Sequence, residues 1–390
     1  MNETISLAVI GAGERGKEIL AALSLLPDAS VKSVCDSYTS PLFQKKALEN
    51  APKATFVTDY KKVLEDKTVQ GIFVATPTHL HKQIVLDAVA AGKHVFCEAP
   101  LAHTVEEARE IATAGKSSKQ IFQVGLHNRS NPQHRHVQHF MDIGMVGNVA
   151  RAEAGWNKKA SWRRTAPTPE RETAINWRLD PNQSNGLLGE VGIHAMDTIS
   201  WLLKESPVSV TGFGNEKSVT AIVEFPKGIR LTYNATLGSS FGGGYELLCG
   251  EYSSILIRGT RGWMIKEDPR VIGWEVYNKR EQLGDDVAYI LVANASKLLS
   301  EGLEPSKNID TNPRHTPLYF ACEGFLNSIR EGQPTGRTSA SLPKDKYPNE
   351  KYPMYATAEA GFAATVVAIR ANEAVKTGTK ITNLREESTL

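Results

Sequence analysis

The sequence predicts an α/β Rossmann domain followed by an α+β domain with a mostly antiparallel, open-faced sheet. Three observations carry this. Short apolar runs alternate with helical stretches through the first third of the chain, a glycine-rich turn closes the first run, and period-2 strands with tight turns follow beyond residue 149. At 390 residues the chain is too long for one ordinary core and suits two domains, placed at 1–126 and 127–390, with the last helices free to pack back on the first.

Apolar runs at 7–10, 31–35, 71–75, 94–97 and 121–124 have the length and bounding turns of strands covered on both faces of a parallel sheet. Between them, 14–26, 41–49, 59–65, 80–91 and 104–116 carry helical patterns, so the order is that of βαβ units. Thr104 with Glu107 three residues on is a capping-box sequence at the start of the last of these helices. The alternation stops near 125–129, and a helix over 132–143 ends at Gly144. Strands are then expected over 149–156, 208–213, 219–225, 229–237, 245–248, 254–258 and 262–265. Pro226-Lys227-Gly228 and Thr260-Arg261-Gly262 read as hairpin turns, and a helix over 187–203 covers one face of the sheet. Two more helices, 316–331 and 356–376, flank a Pro-, Lys- and Tyr-rich loop at 342–355.

Composition narrows the function classes. A hydrophobic fraction of 41% and a charged fraction of 23% argue against a disordered or fibrous chain. A net charge of +2 without a cationic block gives no electrostatic reason to expect nucleic acid or an anionic membrane as partner, so a small molecule is expected. No apolar run reaches the ~18 residues of a membrane span, and the first residues show no basic stretch or cleavage site, so a cytoplasmic location is expected. Cys35, Cys97, Cys249 and Cys322 are widely separated and read as buried thiols in a reducing compartment. His134, His136 and His139 share one helical stretch, but their offsets lack the i, i+4 pair that sets two imidazoles on one metal, so no metal site is expected.

The turn Gly11-Ala12-Gly13-Glu14-Arg15-Gly16 follows a strand directly and opens a helix, the context a dinucleotide fingerprint requires. Gly11 permits the tight turn, Gly13 lets backbone approach a pyrophosphate, and Gly16 lets helix pack on strand. The N–H groups at the helix start, from Glu14 and Arg15 onward, then face the phosphates. Asp36, twenty residues beyond Gly16, is placed to accept from both ribose hydroxyls and to repel a 2′-phosphate, which favours NAD over NADP. Two more segments fall at C-terminal strand ends, where ligands sit in such sheets. One contains Thr76, Pro77, His79 and His81; the other contains Glu98 and Ala99.

Together with that turn, the runs "ATPTH", "AGKHVFCEAPLA", "QVGLHNR", "SWRR" and "GLLGEVGIHAMD" resemble the glucose–fructose oxidoreductase, inositol dehydrogenase and rhizopine catabolism family, Gfo/Idh/MocA, over essentially the whole chain. Glu190 and His194 are four apart on a segment expected to be helical, so both leave one face. A neutral histidine there can take the proton of an alcohol while hydride leaves its carbon. The resemblance implies that His194 is the catalytic histidine and that Glu190 stands where dehydrogenase members often carry Asp; Asp197 is the alternative orienting group. Family dehydrogenases usually carry Glu-Lys-Pro where this chain has Glu98-Ala99-Pro100, so the lysine of the usual proton relay is missing. His127 either supplies that proton carrier or, like Asn128, contacts cofactor or a hydroxyl. Trp162 and Arg163 resemble a family segment that reaches cofactor or substrate. Trp156, Lys158, Trp177 and Arg178 combine stacking faces with donors suited to a sugar.

Three functions are therefore compared. The first is NAD-dependent oxidation or reduction at a secondary hydroxyl of a sugar, cyclitol or glycoside. The second is redox-neutral glycoside cleavage, in which retained NAD oxidises C3 transiently and elimination follows. The third is a non-catalytic ligand sensor, against which the Glu190 and His194 pair argues. The resemblance also implies a homodimer or homotetramer.

Overall fold

The computed structural model describes residues 3–259, 261–267, 280–283, 286–291, 312–334 and 355–390. The chain divides into two units, one of residues 1–130 with 312–365 and 390, the other of 131–311 with 366–389. The described residues 312–334 and 355–365 group with the first unit.

The first unit is built on six parallel strands: β1 (Ile5–Ile10), β2 (Ala29–Cys35), β3 (Thr55–Val57), β4 (Gly71–Val74), β5 (His94–Cys97) and β6 (Phe122–Val124). Their order is β3-β2-β1-β4-β5-β6, the doubly wound order whose direction reverses beside β1. Helices α1 (Glu14–Ser24), α2 (Pro41–Ala47), α3 (Tyr60–Glu65), α4 (His81–Ala90) and α5 (Val105–Ser117) connect the strands. The sequence missed β3, whose three residues are too few to show a period. At α5, Thr104 Oγ1 accepts from the Glu107 N–H at 3.2 Å. The Glu107 carboxylate lies 3.2 Å from His103 Nδ1, so it is a histidine partner rather than the reciprocal half of a capping box.

The second unit opens with α6 (Pro132–Asp142) and carries α7 (Pro169–Ile175) and α8 (Ile193–Leu203). Its ten strands are β7 (Val149–Asn157), β8 (Ser209–Asn215), β9 (Ser218–Glu224), β10 (Arg230–Thr236), β11 (Gly244–Gly250), β12 (Ser253–Arg258), β13 (Arg261–Lys266), β14 (Arg280–Leu283), β15 (Asp286–Leu291) and β16 (Ile381–Thr382). They run in the order β14-β15-β13-β12-β11-β7-β10-β9-β8-β16, with β7 and β10 the one parallel pair among the described residues. Val219, Ala221 and Val223 on β9 alternate with half-buried or exposed residues, as do Leu231, Tyr233 and Ala235 on β10. The inward set packs on Val137 and Phe140 of α6 and on Met196, Ile199 and Leu202 of α8, which leaves the other face open.

The sequence did not anticipate β14, β15 or β16. The turn assigned to Thr260-Arg261-Gly262 is also corrected. Arg261 and Gly262 already pair within β13, the chain reverses at Gly259 with φ +58°, and Thr260 lies outside the described residues. The loop expected at 342–355 lies outside them too, except for Tyr355. Cys35, Cys97 and Cys322 are buried, but Cys249 is only half-buried. Among the described residues no helix is long and apolar enough to cross a membrane.

Two further helices, α9 (Pro317–Glu331) and α10 (Ala358–Thr377), complete the long elements among the described residues. In the first unit, Phe325 of α9 meets Phe73 of β4 at 5.2 Å and Phe96 of β5 at 5.8 Å, edge to face, and all three rings are buried. Phe325→Ala is expected to cost roughly 3–5 kcal/mol of unfolding free energy, read from denaturant unfolding. A loss below about 1 kcal/mol would remove α9 from the core.

A second expectation concerns pH. Burial holds the His136 ring at about 4, with His139 adding to the shift, and its edge packs on Phe140 at 4.6 Å. Unfolded, the ring titrates near about 6.5. The native state therefore binds fewer protons between those values, so this ring's contribution to stability is intact above about pH 6.5 and is lost as pH falls toward about 4. His136→Gln should flatten that limb of the stability curve. An unchanged slope in the variant would contradict the burial.

Candidate functional site

In the first unit the glycine turn is shaped by close approach. Gly11 has φ +99°, and a Cβ there would lie 2.5 Å from Ala75 O, while one on Gly16 would lie 1.9 Å from Gly11 O. A Cβ on Gly13 would meet nothing within 4 Å, so the start of α1 is open on that side. Asp36 follows β2 directly, and its Oδ2 accepts from the Ala12 N–H and its Oδ1 from the Tyr38 N–H, both at 2.9 Å. The carboxylate is thus tied to the glycine turn itself. Thr76 follows β4, and its buried Oγ1 has no hydrogen-bond partner among the described residues. Pro77 precedes a short turn, Thr78–Leu80, that contains the half-buried His79.

Two charged groups meet behind this turn. Arg15 Nε donates to Glu98 Oε1 at 2.8 Å and Nη1 to Glu18 Oε2 at 2.9 Å, while Nη2 lies 3.3 Å from His127 Nδ1. Burial raises the Glu98 carboxyl above its usual range, and the Arg15 guanidinium opposes that rise. Burial by itself would lower the Arg15 pKa, but Glu98 and Glu18 together outweigh it and the guanidinium is held still more firmly charged. Glu14 instead pairs with Lys17 at 2.6 Å on the helix surface. His81 is fully buried, with Nδ1 3.1 Å from Pro100 O and Nε2 3.0 Å from Thr76 O, so its ring ties the segment after β5 to the segment after β4. Burial lowers its pKa, against the pull of these carbonyls. Ala99 contributes a methyl group between Glu98 and Pro100, and Asn128 follows His127 in the short turn after β6.

In the second unit, Glu190 and His194 do not share one regular α-helix. Glu190 sits in a π-helical turn, Leu188–Gly192, and His194 in the first turn of α8. The wider turn alters the one-face spacing that four residues imply in an α-helix. The side chain of Glu190 is buried, with 6% of its surface exposed. Its Oε1 accepts from Ser184 Oγ at 2.9 Å, and its Oε2 lies 3.9 Å from Arg178 Nε. The Arg178 guanidinium sits over the Trp177 ring at 4.5 Å, so the arginine covers a face that a sugar was expected to use. Trp177 itself is buried, as is Asp197 within α8. Trp156 and Trp162 pack against the unit's core, Lys158 is exposed, and Arg163 pairs with Glu172 at 3.2 Å.

Sequence reasoning missed Glu18 and Ser184, the partners that fix Arg15 and Glu190. Glu18 is signalled only by its i, i+3 spacing from Arg15, and Ser184 by none. In α6, His134 Nδ1 lies 3.0 Å from Asn131 Nδ2, and its Nε2 is 3.9 Å from Glu246. Among the described residues no group of three or more His, Cys, Asp or Glu is placed to hold a metal ion.

Residues 5–126 match the oxidoreductase family with an NAD-binding Rossmann fold, and 134–265 match the GFO/IDH/MocA C-terminal domain. The chain belongs to the GFO/IDH/MocA family. It is 24% identical over 211 residues to levoglucosan dehydrogenase of Pseudarthrobacter phenanthrenivorans, which covers 52% of each chain. It is 26% identical over 271 residues to 2,7-anhydro-N-acetylneuraminate hydratase of Escherichia coli, covering 66% of each. These alignments thus span about half to two thirds of the relatives' own length. A solved levoglucosan dehydrogenase in complex with NADH and levoglucosan superposes with TM-score 0.75 over 97% of this chain and 99% of that one, at 18% identity, which is a likeness of fold.

The family's cofactor fits the first unit on three counts: the open approach over Gly13, the anchored Asp36 carboxylate and the orphaned Thr76 hydroxyl. Asp36→Ala is expected to raise the Kd for NAD by about tenfold or more and to narrow the preference over NADP, as measured by calorimetric titration. An unchanged Kd and an unchanged preference would take Asp36 out of the site.

Proposed function

We propose that this GFO/IDH/MocA protein oxidises or reduces a secondary hydroxyl carbon of a sugar, cyclitol or glycoside with NAD. NAD supplies the hydride acceptor or donor. The observation that carries the reading is the π-helical turn, which keeps a buried carboxylate between Ser184 and Arg178 four residues before a histidine. A carboxylate held in this way cannot swing, so it suits orientation of a hydroxyl or of an imidazole. His194 takes the alcohol proton as hydride leaves the carbon, and returns it in the reverse direction. His127, in the turn that follows β6 in the dinucleotide-binding unit, contacts cofactor or a hydroxyl from that unit's side. Trp156, with Arg178, contributes apolar surface and donors to the sugar.

A second reading is favoured by Ala99, which offers no ionisable group beside Glu98. The similarity to a protein named as a hydratase points the same way. In this reading His194 takes the C3 hydroxyl proton as the C3 hydride passes to NAD and releases that proton to solvent; the freed ring then takes the neighbouring C–H proton as the glycosidic C–O bond breaks, and that proton leaves with the departing alcohol. Water then adds, and hydride returns to the C3 carbon, so the net change is hydrolysis.

Incubation with NAD and a panel of anhydrosugars, inositols and nitrophenyl glycosides separates the two. NADH accumulation supports net oxidation, and nitrophenol release without NADH supports the redox-neutral route. His194→Ala should abolish either activity with the NAD Kd unchanged. Full activity in that variant would refute the assignment, and silence of the wild type on the whole panel, despite tight NAD binding, would favour a sensor.

A further inference from the structure

We propose that Arg15 is a positioning residue that fixes the proton of His127 on Nε2 and so makes this histidine a neutral hydrogen-bond donor rather than a proton carrier. A guanidinium has donors only. With Arg15 Nη2 3.3 Å from His127 Nδ1, that nitrogen must present its lone pair, and the neutral ring then carries its hydrogen on Nε2. Protonating Nδ1 would replace the contact by two cations face to face.

The arginine is held in this pose by its other two nitrogens, bonded to Glu98 and Glu18. Glu98 is itself immobile. Its side chain is 9% exposed, and a Cβ on Gly125 would come within 2.5 Å of Oε2, so the carboxylate fills the space that glycine leaves. Turning Arg15 away would leave a buried carboxylate without its cation, a strongly unfavourable state. The planar fork suits this task and an ammonium does not, because one rigid group must serve a carboxylate and an imidazole at a fixed angle.

A neutral imidazole N–H aimed at a developing alkoxide or carbonyl oxygen stabilises charge without transferring its proton, as neutral histidines do in other enolate- and ketone-forming sites. The catalytic part of this inference rests on the oxidoreductase reading above, whereas the tautomer does not.

The full-length protein, labelled with ¹⁵N in its histidine rings, tests the tautomer without substrate, with the His127 signals assigned by their loss in His127→Asn. A ring protonated on Nε2 is expected in the wild type, and a mixture of both tautomers in Arg15→Met. Arg15→Lys should restore part of the preference. The double variant Arg15→Met/Glu98→Gln leaves no buried carboxylate unpaired and should show the same mixture, so it serves if the single variant fails to fold. A wild-type ring protonated on Nδ1, or a preference that survives in both variants, overturns the proposal. With a turned-over substrate, Arg15→Met should lower kcat by about tenfold and change KM less than about threefold. A lost preference with unchanged kcat overturns the catalytic part. A fixed tautomer in a protein that turns over no sugar would overturn the oxidoreductase reading and leave the positioning intact.

Discussion

A side chain at Gly11 would stand 2.5 Å from the carbonyl oxygen of Ala75, and one at Gly16 would stand 1.9 Å from that of Gly11. Because neither exists, β1 can turn directly into α1 while lying against the end of β4. That contact places the first helix N-terminus, the Asp36 carboxylate and the Thr76 hydroxyl around one point. It also brings Arg15 within reach of Glu98 and His127, which follow β5 and β6. The strand order puts β1 next to β4, so every polar group of the first unit's site sits at a C-terminal strand end on this side.

Much of this was legible because local chemistry and global fold agree. Glycines at the required spacing after an apolar strand have few other uses, and a carboxylate twenty residues on has a definite place in a βαβ unit. The alternating strands β9 and β10 were equally readable, since one face is buried and the other is not. What was not legible depends on packing partners far along the chain. The apolar period of α9 announces a helix but not that Phe325 closes on Phe73 and Phe96, some 230 to 250 residues away. The π-helical turn at Glu190 was hidden for a different reason. A spacing of four residues looks the same in sequence whichever helical pitch the backbone adopts.

Both units use the same electrostatic device. In each, a buried glutamate is met by a partly exposed arginine: Glu98 by Arg15 at 2.8 Å and Glu190 by Arg178 at 3.9 Å. A pair of this kind adds little net stability, because the desolvation of two ions offsets their attraction. Its value is geometric, since a carboxylate with its cation and a hydrogen-bond donor in place has one orientation. Ser184 supplies that donor to Glu190, and Glu18 holds the far side of Arg15. Burial raises the Glu98 carboxyl while its arginine opposes the rise, so removing Arg15 would leave a buried carboxyl with nothing to oppose it.

Ala99 gives this arrangement its chemical consequence. Net oxidation of an alcohol releases a proton with every hydride, so each turnover must move that proton from the reacting oxygen to solvent. A guanidinium cannot serve as a carrier at any accessible pH, and a histidine fixed as an Nε2 donor does not accept one while Arg15 holds it. Chemistry in which hydride is returned to the same molecule needs no net proton export through this route, because the proton taken at the oxidation step is given back at the reduction. On the second, redox-neutral reading proposed above, the methyl group of Ala99 is no defect, because hydride and proton both stay within one turnover.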